Sequence, residues 1–144
     1  MCHSFLDRLK SLSGPTIQTA AKLLDATQRK VELVAADDKR LDPGGANSDG
    51  NPNTYTFGNT TISSIYINSK VGEATQLTAV AHEALYHNQN TLGLPTDIGH
   101  VDNRARDVPL VQELQSQGIV AKGYIRGLIQ DKVPGAEQLK PFNQ

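Results

Sequence analysis

Apolar residues recur three and four positions apart near the start of the chain, which is the spacing of helices with one buried face. The first such stretch runs from about His3 to Leu12, and Ser13-Gly14-Pro15 ends it. The second runs from about Thr16 to Gln28. Its predicted buried residues are Ile17, Ala20, Ala21, Leu23 and Leu24. We therefore predict two N-terminal helices.

Short strands follow these helices. Apolar and polar residues alternate over Val31-Glu32-Leu33-Val34-Ala35, which predicts a strand. β-branched and aromatic residues dominate residues 55–57 and 61–68, and Asn59 lies between the two stretches. This pattern is typical of a β-hairpin with Asn59 at its turn.

Between the first strand and the hairpin, residues 37–53 are rich in Asp, Gly, Pro, Asn and Ser. Because nothing apolar follows Leu41 to anchor a regular element, we predict a long surface loop. A calcium-binding loop is the alternative, but the spacing of its acidic ligands is not met here. A solvated loop is the better interpretation.

A longer helical pattern begins near Ser69 or Glu73 and continues to about Asn90, where Leu92-Gly93-Leu94-Pro95 ends it. Its predicted buried residues are Leu77, Val80, Ala81, Ala84 and Leu85. This segment comes directly after the hairpin. Mixing helices and short strands in this order indicates an α+β fold.

One further helix is predicted at the C-terminal end. Asp107-Val108-Pro109 is a typical helix start, with Asp as the N-cap and Pro in the first turn. Helical spacing of apolar residues then continues to about Asp131, so we predict one long helix. The tail from Val133 to Gln144 is predicted to be extended or frayed.

Composition narrows the class of protein. The chain has 144 residues, of which 38% are hydrophobic and 20% are charged, as expected for a single domain spanning residues 1–144. A net charge of −1 argues against nucleic acid and anionic membranes as partners. Cys2 has no cysteine to pair with, and we find neither an apolar run of about 18 residues nor a Sec signal.

Candidate chemistry lies in the long helix after the hairpin, where His82-Glu83 is followed by a second histidine, His87. At about 100° per residue, a regular helix places His82 and Tyr86 about 40° apart, but His82 and His87 about 140° apart. Such a helix would not let both histidines bind one ion. A π-bulge would bring five residues close to one turn, and we predict one between about Glu83 and His87.

This stretch resembles the zinc-binding helix of zincin metallopeptidases, in which two histidines hold Zn²⁺ and the glutamate acts on its bound water. The extra residue between the histidines is also similar to dipeptidyl-peptidase III, which has H-E-L-L-G-H at a working zinc site. The resemblance implies His82 and His87 as metal ligands and Glu83 as the catalytic base. It also implies that residues 61–68 are the edge strand that pairs with substrate. In the alternative interpretation, these side chains are ordinary core or surface residues.

A third metal ligand is needed, and several residues after the helix qualify. Glu113 is the first choice because a glutamate on a following antiparallel helix is the gluzincin arrangement. His100 is the second choice, and Asp97 and Asp102 are further candidates. The oxyanion of the transition state would be stabilised by a hydrogen-bond donor, for which Tyr86, His100 and Tyr124 are the candidates.

The order of elements is similar to that of NleD-like bacterial effector and toxin metallopeptidases. The resemblance follows the layout of residues 5–120 and is specific at residues 61–87. It implies a secreted peptidase, exported from the bacterial cytoplasm by a non-Sec secretion system and acting on proteins in a target cell. It also implies a secretion machine or an immunity protein as partner. The competing expectation is a zincin-like scaffold without activity that binds a protein partner.

Overall fold

The structure is a computed structural model, which describes residues 4–41, 57–86 and 106–143. Its elements, in chain order, are α1 (Phe5–Lys10), α2 (Pro15–Thr27), β1 (Lys30–Val34), a 3-10 turn (Lys39–Leu41), β2 (Gly58–Thr60), β3 (Ser64–Asn68), α3 (Glu73–Tyr86), α4 (Asp107–Gln115), α5 (Lys122–Gln130) and a C-terminal 3-10 segment (Ala136–Asn143). This is a mixed α+β protein with a small three-stranded sheet, so the predicted fold class is confirmed at this level.

Both N-terminal helices are confirmed. Ser4 caps α1, since its hydroxyl accepts a hydrogen bond from the amide of Asp7 at 3.1 Å. Pro15 is the first residue of α2, where its fixed backbone angle suits a helix start. Gln28 ends α2 in the left-handed conformation, with φ of 55°.

The sheet has the strand order β1-β3-β2, with β1 parallel and β2 antiparallel to β3. The hairpin is confirmed, but Asn59 is not at its turn: it lies in β2, opposite Tyr66. The turn lies at residues 61–64 instead, because Thr61 and Ser64 are hydrogen-bonded to each other. The amide of Thr61 donates to the carbonyl of Ser64 at 2.8 Å, and the amide of Ser64 donates to the Thr61 hydroxyl at 3.0 Å.

Strand β3 lies in the middle of the sheet, which corrects the prediction that residues 61–68 form the edge strand. Both of its sides are already paired, and Ile65 and Ile67 are fully buried. Among the residues that the structure describes, β2 is the edge strand beside the His-Glu helix instead. A Cβ atom added at Gly58 of β2 would lie 3.4 Å from Cγ of Glu83.

Helix α3 packs on β2, β3 and α2 and has almost no exposed surface between Thr75 and Ala84. The apolar core around it also includes α1, α2 and one face of α4. Its fully buried large side chains are Leu9, Ile17, Ile65, Ile67, Leu77, Val80 and Leu110. The predicted apolar face of α3 is confirmed. Within the described ranges, we find no helix with the length and apolar character needed to cross a bilayer.

The single long C-terminal helix that we predicted is wrong, because the chain breaks after Gln115. Gly118 has a φ of +86°, a conformation that favours glycine. The amide of Gly118 donates to the carbonyl of Gln115, and that of Ile119 to the carbonyl of Leu114, each at 3.0 Å. This pair of bonds is a Schellman motif, which ends α4 and allows α5 to turn away.

The predicted extended tail is also wrong over the described residues. Val133, Ala136 and Leu139 are 3%, 1% and 0% exposed. They belong to a second apolar cluster, here called the C-terminal cluster. Its buried members are Val108, Val111, Ala121, Tyr124, Ile125, Leu128, Val133, Ala136 and Leu139. The tail therefore folds back on α4 and α5 as part of the core.

Candidate functional site

Helix α3 brings His82 and Glu83 into the protein interior, where they are 7% and 4% exposed. The helix starts at Glu73, and the side-chain amide of Gln76 donates to the carbonyl of Val71 at 2.9 Å just before it. From there the chain is α-helical as far as Tyr86. Two buried polar side chains side by side on a helix need specific partners.

Several predicted site residues lie outside the described residues. These are His87, Asp97, His100 and Asp102. Tyr86 is the last residue of α3, and the structure describes its backbone only. The predicted convergence of His82 and His87 through a π-bulge therefore stays a prediction, as do the catalytic roles of Tyr86 and His100.

Asp107 is the partner of His82. Oδ1 of Asp107 lies 2.8 Å from Nδ1 of His82, and the hydroxyl of Tyr124 donates to Oδ2 at 2.7 Å. Asp107 is fully buried, and Tyr124 is 7% exposed. Helices α3, α4 and α5 thus each contribute one side chain to a single buried hydrogen-bonded network.

This network corrects the predicted role of Asp107. Arg106 occupies the N-cap position of α4, and its own side chain makes no capping hydrogen bond. Asp107 is the first residue inside the helix instead. Its carboxylate turns into the core because a buried imidazole and a buried phenol each need a partner there.

The network determines which ring nitrogen of His82 is available for chemistry. A carboxylate only accepts hydrogen bonds, so a neutral imidazole meets Asp107 through its Nδ1–H group and has its lone pair on Nε2. Nε2 lies 3.9 Å from Oε2 of Glu83. Nε2 of the ring and the Glu83 carboxylate therefore lie on the same side of the site.

Aromatic contacts hold the far side of the network. Phe57 stacks on the Tyr124 ring with a centroid distance of 5.3 Å, and the Tyr124 and His82 rings are 6.4 Å apart. Next to Phe57, a Cβ atom at Gly58 would lie 2.9 Å from Cδ1 of Ile67. A larger residue here would have to displace the end of the Ile67 side chain, and its Cβ would also lie 3.2 Å from the carbonyl oxygen of Tyr66.

A buried cation lies on the other side of Glu83. Arg29 is 7% exposed, and its Nε donates to the carbonyl of Thr61 at 2.9 Å. Burial lowers the pKa of the Arg29 guanidinium, and the negative charge of Glu83 acts in the opposite direction. This attraction indicates that the guanidinium lies near the Glu83 carboxylate.

Glu113, the first choice for a third metal ligand, is placed elsewhere. Its Oε1 accepts hydrogen bonds from the amides of Thr16 and Ile17, each at 3.0 Å. These amides belong to the first turn of α2, which Gly14 precedes without any side-chain cap. Glu113 thus caps α2 from α4, since the amides at a helix start have no partners within the helix.

We expect Glu113→Ala to lower the free energy of unfolding by about 1–2 kcal/mol, the usual cost of losing an N-terminal cap. Glu113→Gln should lose less, because its amide oxygen still accepts one of these hydrogen bonds. Urea denaturation measures both, with Glu137→Ala at an exposed position as the control. An Ala variant as stable as this control would contradict the capping role.

The described residues do not form a metal site by themselves. Over residues 4–41, 57–86 and 106–143, no three His, Cys, Asp or Glu side chains are grouped to hold a metal ion. His82 nevertheless fits one ligand position of a zinc site, because an imidazole with a carboxylate behind Nδ1 and a lone pair on Nε2 is the usual form of a ligating histidine. His87, Asp97, His100 and Asp102, the other predicted ligands besides Glu113, lie outside these ranges.

The motif predicted His82 and Glu83, but not the residues that hold them. The sequence predicts Asp107 as a helix cap and Tyr124 as a candidate donor to an oxyanion. A ligating histidine needs an acceptor at its second nitrogen, but no local pattern in the sequence identifies the residue that supplies it. Comparisons with protein-family models, with curated proteins and with solved structures give no match for this chain.

Proposed function

We propose that this protein is a zinc-dependent peptidase with a zincin-like fold, in which His82 is a metal ligand and Glu83 is the catalytic base. The observation that carries the proposal is the buried bond between Asp107 and Nδ1 of His82, at 2.8 Å. Ligating histidines in zinc sites usually donate their second nitrogen to such a carboxylate, which fixes the tautomer and the ring orientation. The bond directs Nε2 of His82 toward Glu83.

The residues of the chain divide the chemistry among them. Zn²⁺, when bound, would polarise the scissile carbonyl and acidify water. Glu83 accepts the proton of the attacking water and passes it to the amine that leaves. Asp107 and Tyr124 hold the His82 ring, and Arg29 places a positive charge near Glu83. His87 remains the predicted second ligand.

The substrate in this proposal is a peptide or a protein in extended form. Strand β2 supports it, because it is the edge strand beside Glu83 and an extended peptide binds by adding a strand to such an edge. The similarity to NleD-like enzymes extends the proposal to a secreted bacterial effector or toxin. Its partners would then be a non-Sec secretion machine or an immunity protein.

One observation favours the second candidate function, a zincin-like scaffold without activity that binds a protein partner. Glu113 is the predicted third ligand, and its carboxylate is already bonded to the amides of Thr16 and Ile17. If no other residue replaces it, the site has too few ligands for a zinc enzyme. The two candidates differ in whether the purified protein holds zinc.

Metal analysis of the purified full chain should therefore find about one Zn²⁺ per molecule. We expect His82→Ala to lose the metal and His3→Ala, at a position distant from the motif in sequence, to keep it. Glu113→Ala should also keep it, because Glu113 is bonded to α2. Circular dichroism checks that each variant is folded. A wild-type protein that contains no zinc and whose melting temperature does not change when a chelator is added would refute the enzyme proposal and favour the scaffold.

A further inference from the structure

We infer that Tyr124 is a positioning residue of this site, which acts through Asp107 on the orientation of the His82 imidazole. The inference rests on the proposed function, since it assigns a role to Tyr124 in holding a metal ligand. Tyr124 lies on α5, two helices away in sequence from the His-Glu motif on α3. Its role follows from the geometry of the network and from the packing around its ring.

The hydroxyl of Tyr124 completes the hydrogen bonding of Asp107. One carboxylate oxygen lies 2.8 Å from Nδ1 of His82, and the other accepts from the Tyr124 hydroxyl at 2.7 Å. A carboxylate held at both oxygens cannot rotate about its Cβ–Cγ bond without breaking one of these bonds. Without the hydroxyl, Oδ2 would lack this partner inside a fully buried residue, and Asp107 would move to satisfy it.

The position of the hydroxyl is itself fixed by packing. Phe57 stacks on the Tyr124 ring at 5.3 Å with 29° between the ring planes. Helix α5 also approaches α3 closely, since a Cβ atom at Gly123 would lie 3.8 Å from the Thr75 hydroxyl. The ring therefore has little freedom, and its hydroxyl is a fixed reference point for the carboxylate.

Tyr124 is thereby excluded as a donor to the oxyanion, a role for which we considered it from the sequence. A phenol has one proton to donate, and this proton is bonded to Asp107. The oxyanion would have to receive its hydrogen bond from another residue. Tyr124 thus acts on the reaction through Asp107 and His82, without contact to the substrate.

The same bond couples the metal site to the C-terminal cluster, of which Tyr124 is a buried member. Ligand binding and local stability are reciprocal: if ordered packing of α5 strengthens metal binding, bound metal stabilises α5 to the same extent. The described tail, from Val133 to Leu139, packs in this cluster. The C-terminal part of the chain would therefore contribute to metal affinity without supplying a ligand.

The test is Tyr124→Phe, which removes the hydroxyl and keeps the stacked ring. We expect its Zn²⁺ affinity, measured by competition with a chromogenic chelator, to fall about tenfold, at the lower end of what second partners of metal ligands contribute. Tyr66→Phe is the matched control, because it removes a hydroxyl from the sheet, away from the network. Its Zn²⁺ affinity should stay within about twofold of the wild type.

A second readout needs no metal. Nitrogen NMR of the apo protein reports which ring nitrogen of His82 carries the proton, and it observes folded molecules directly. In the wild type we expect the proton on Nδ1, and in Tyr124→Phe a mixture of the two tautomers. An unchanged His82 spectrum with unchanged affinity would overturn the inference and leave the proposed function intact. A wild-type protein that does not bind Zn²⁺ would overturn the proposed function, and the NMR result would still decide the role of Tyr124.

Discussion

Replacing Glu83 with glutamine is expected to abolish peptide cleavage while leaving zinc bound. Glutamine keeps the size of the side chain but cannot take a proton from water at neutral pH, so the general base is lost. General-base catalysis contributes a factor of roughly 10²–10⁴, and we expect kcat to fall by that amount. Because the histidine ligand is untouched, the zinc content should stay at about one per chain. Mass spectrometry of a random peptide library incubated with each protein measures the cleavage rate.

The matched control is Glu73→Gln, the same substitution at an exposed position in the first turn of α3. It should cleave at the wild-type rate. Since Glu83 is buried near Arg29, its loss also leaves that guanidinium without a compensating charge, so urea denaturation must show that the variant is folded. Unchanged cleavage by folded Glu83→Gln would show that Glu83 is not the base.

Local sequence patterns predicted the helices and strands whose buried face is visible in the spacing of their own apolar residues. Helices α2 and α3 follow from apolar residues at helical spacing, and Ile65 and Ile67 from alternation, because both patterns report directly which face is buried. Sheet order was beyond this reasoning. That β3 lies between β1 and β2 depends on pairing between segments separated by a long stretch of chain.

The end of helix α4 and the conformation of the tail were predicted wrongly for a different reason. Glycine at position 118 is tolerated within a helix or ends it, and the spacing of apolar residues continued past it, so the pattern favoured one helix. The tail after Val133 contains prolines and a glycine, which are typical of loops, yet Leu139 is fully buried. Burial by a distant surface does not appear in the local sequence.

The site shows the same division between local and distant information. His82 and Glu83 are adjacent, and the motif identified them. Asp107 lies 25 residues after His82 and resembles an ordinary helix cap, so its bond to the imidazole could be found only from the fold. For Glu113, the arrangement expected from a family resemblance and the one observed differ, because the amides of α2 lacked a cap of their own.

Asp107→Ala is expected to weaken both the fold and the metal site. The substitution removes the partner of Nδ1 of His82 and of the Tyr124 hydroxyl, two buried groups. Each buried polar group without a hydrogen bond costs about 1–3 kcal/mol, so we expect the free energy of unfolding to fall by about 2–6 kcal/mol. Loss of the carboxylate behind a metal-bound histidine should also weaken Zn²⁺ binding by roughly 10–100-fold.

Urea denaturation of the metal-free proteins and chelator competition separate these two effects. Asp25→Ala is the matched control, because Asp25 is exposed and its ion pair with Lys10 is 3.8 Å long. We expect this control to change the free energy of unfolding by no more than about 0.5 kcal/mol. The stability of Asp107→Asn should lie between those of Asp107→Ala and Asp25→Ala. The amide oxygen of the new asparagine still accepts from His82, and its amide nitrogen can donate to the Tyr124 oxygen. If Asp107→Ala matched Asp25→Ala in stability and wild type in Zn²⁺ affinity, the network would not be what holds His82, and the proposed function would lose the observation that carries it.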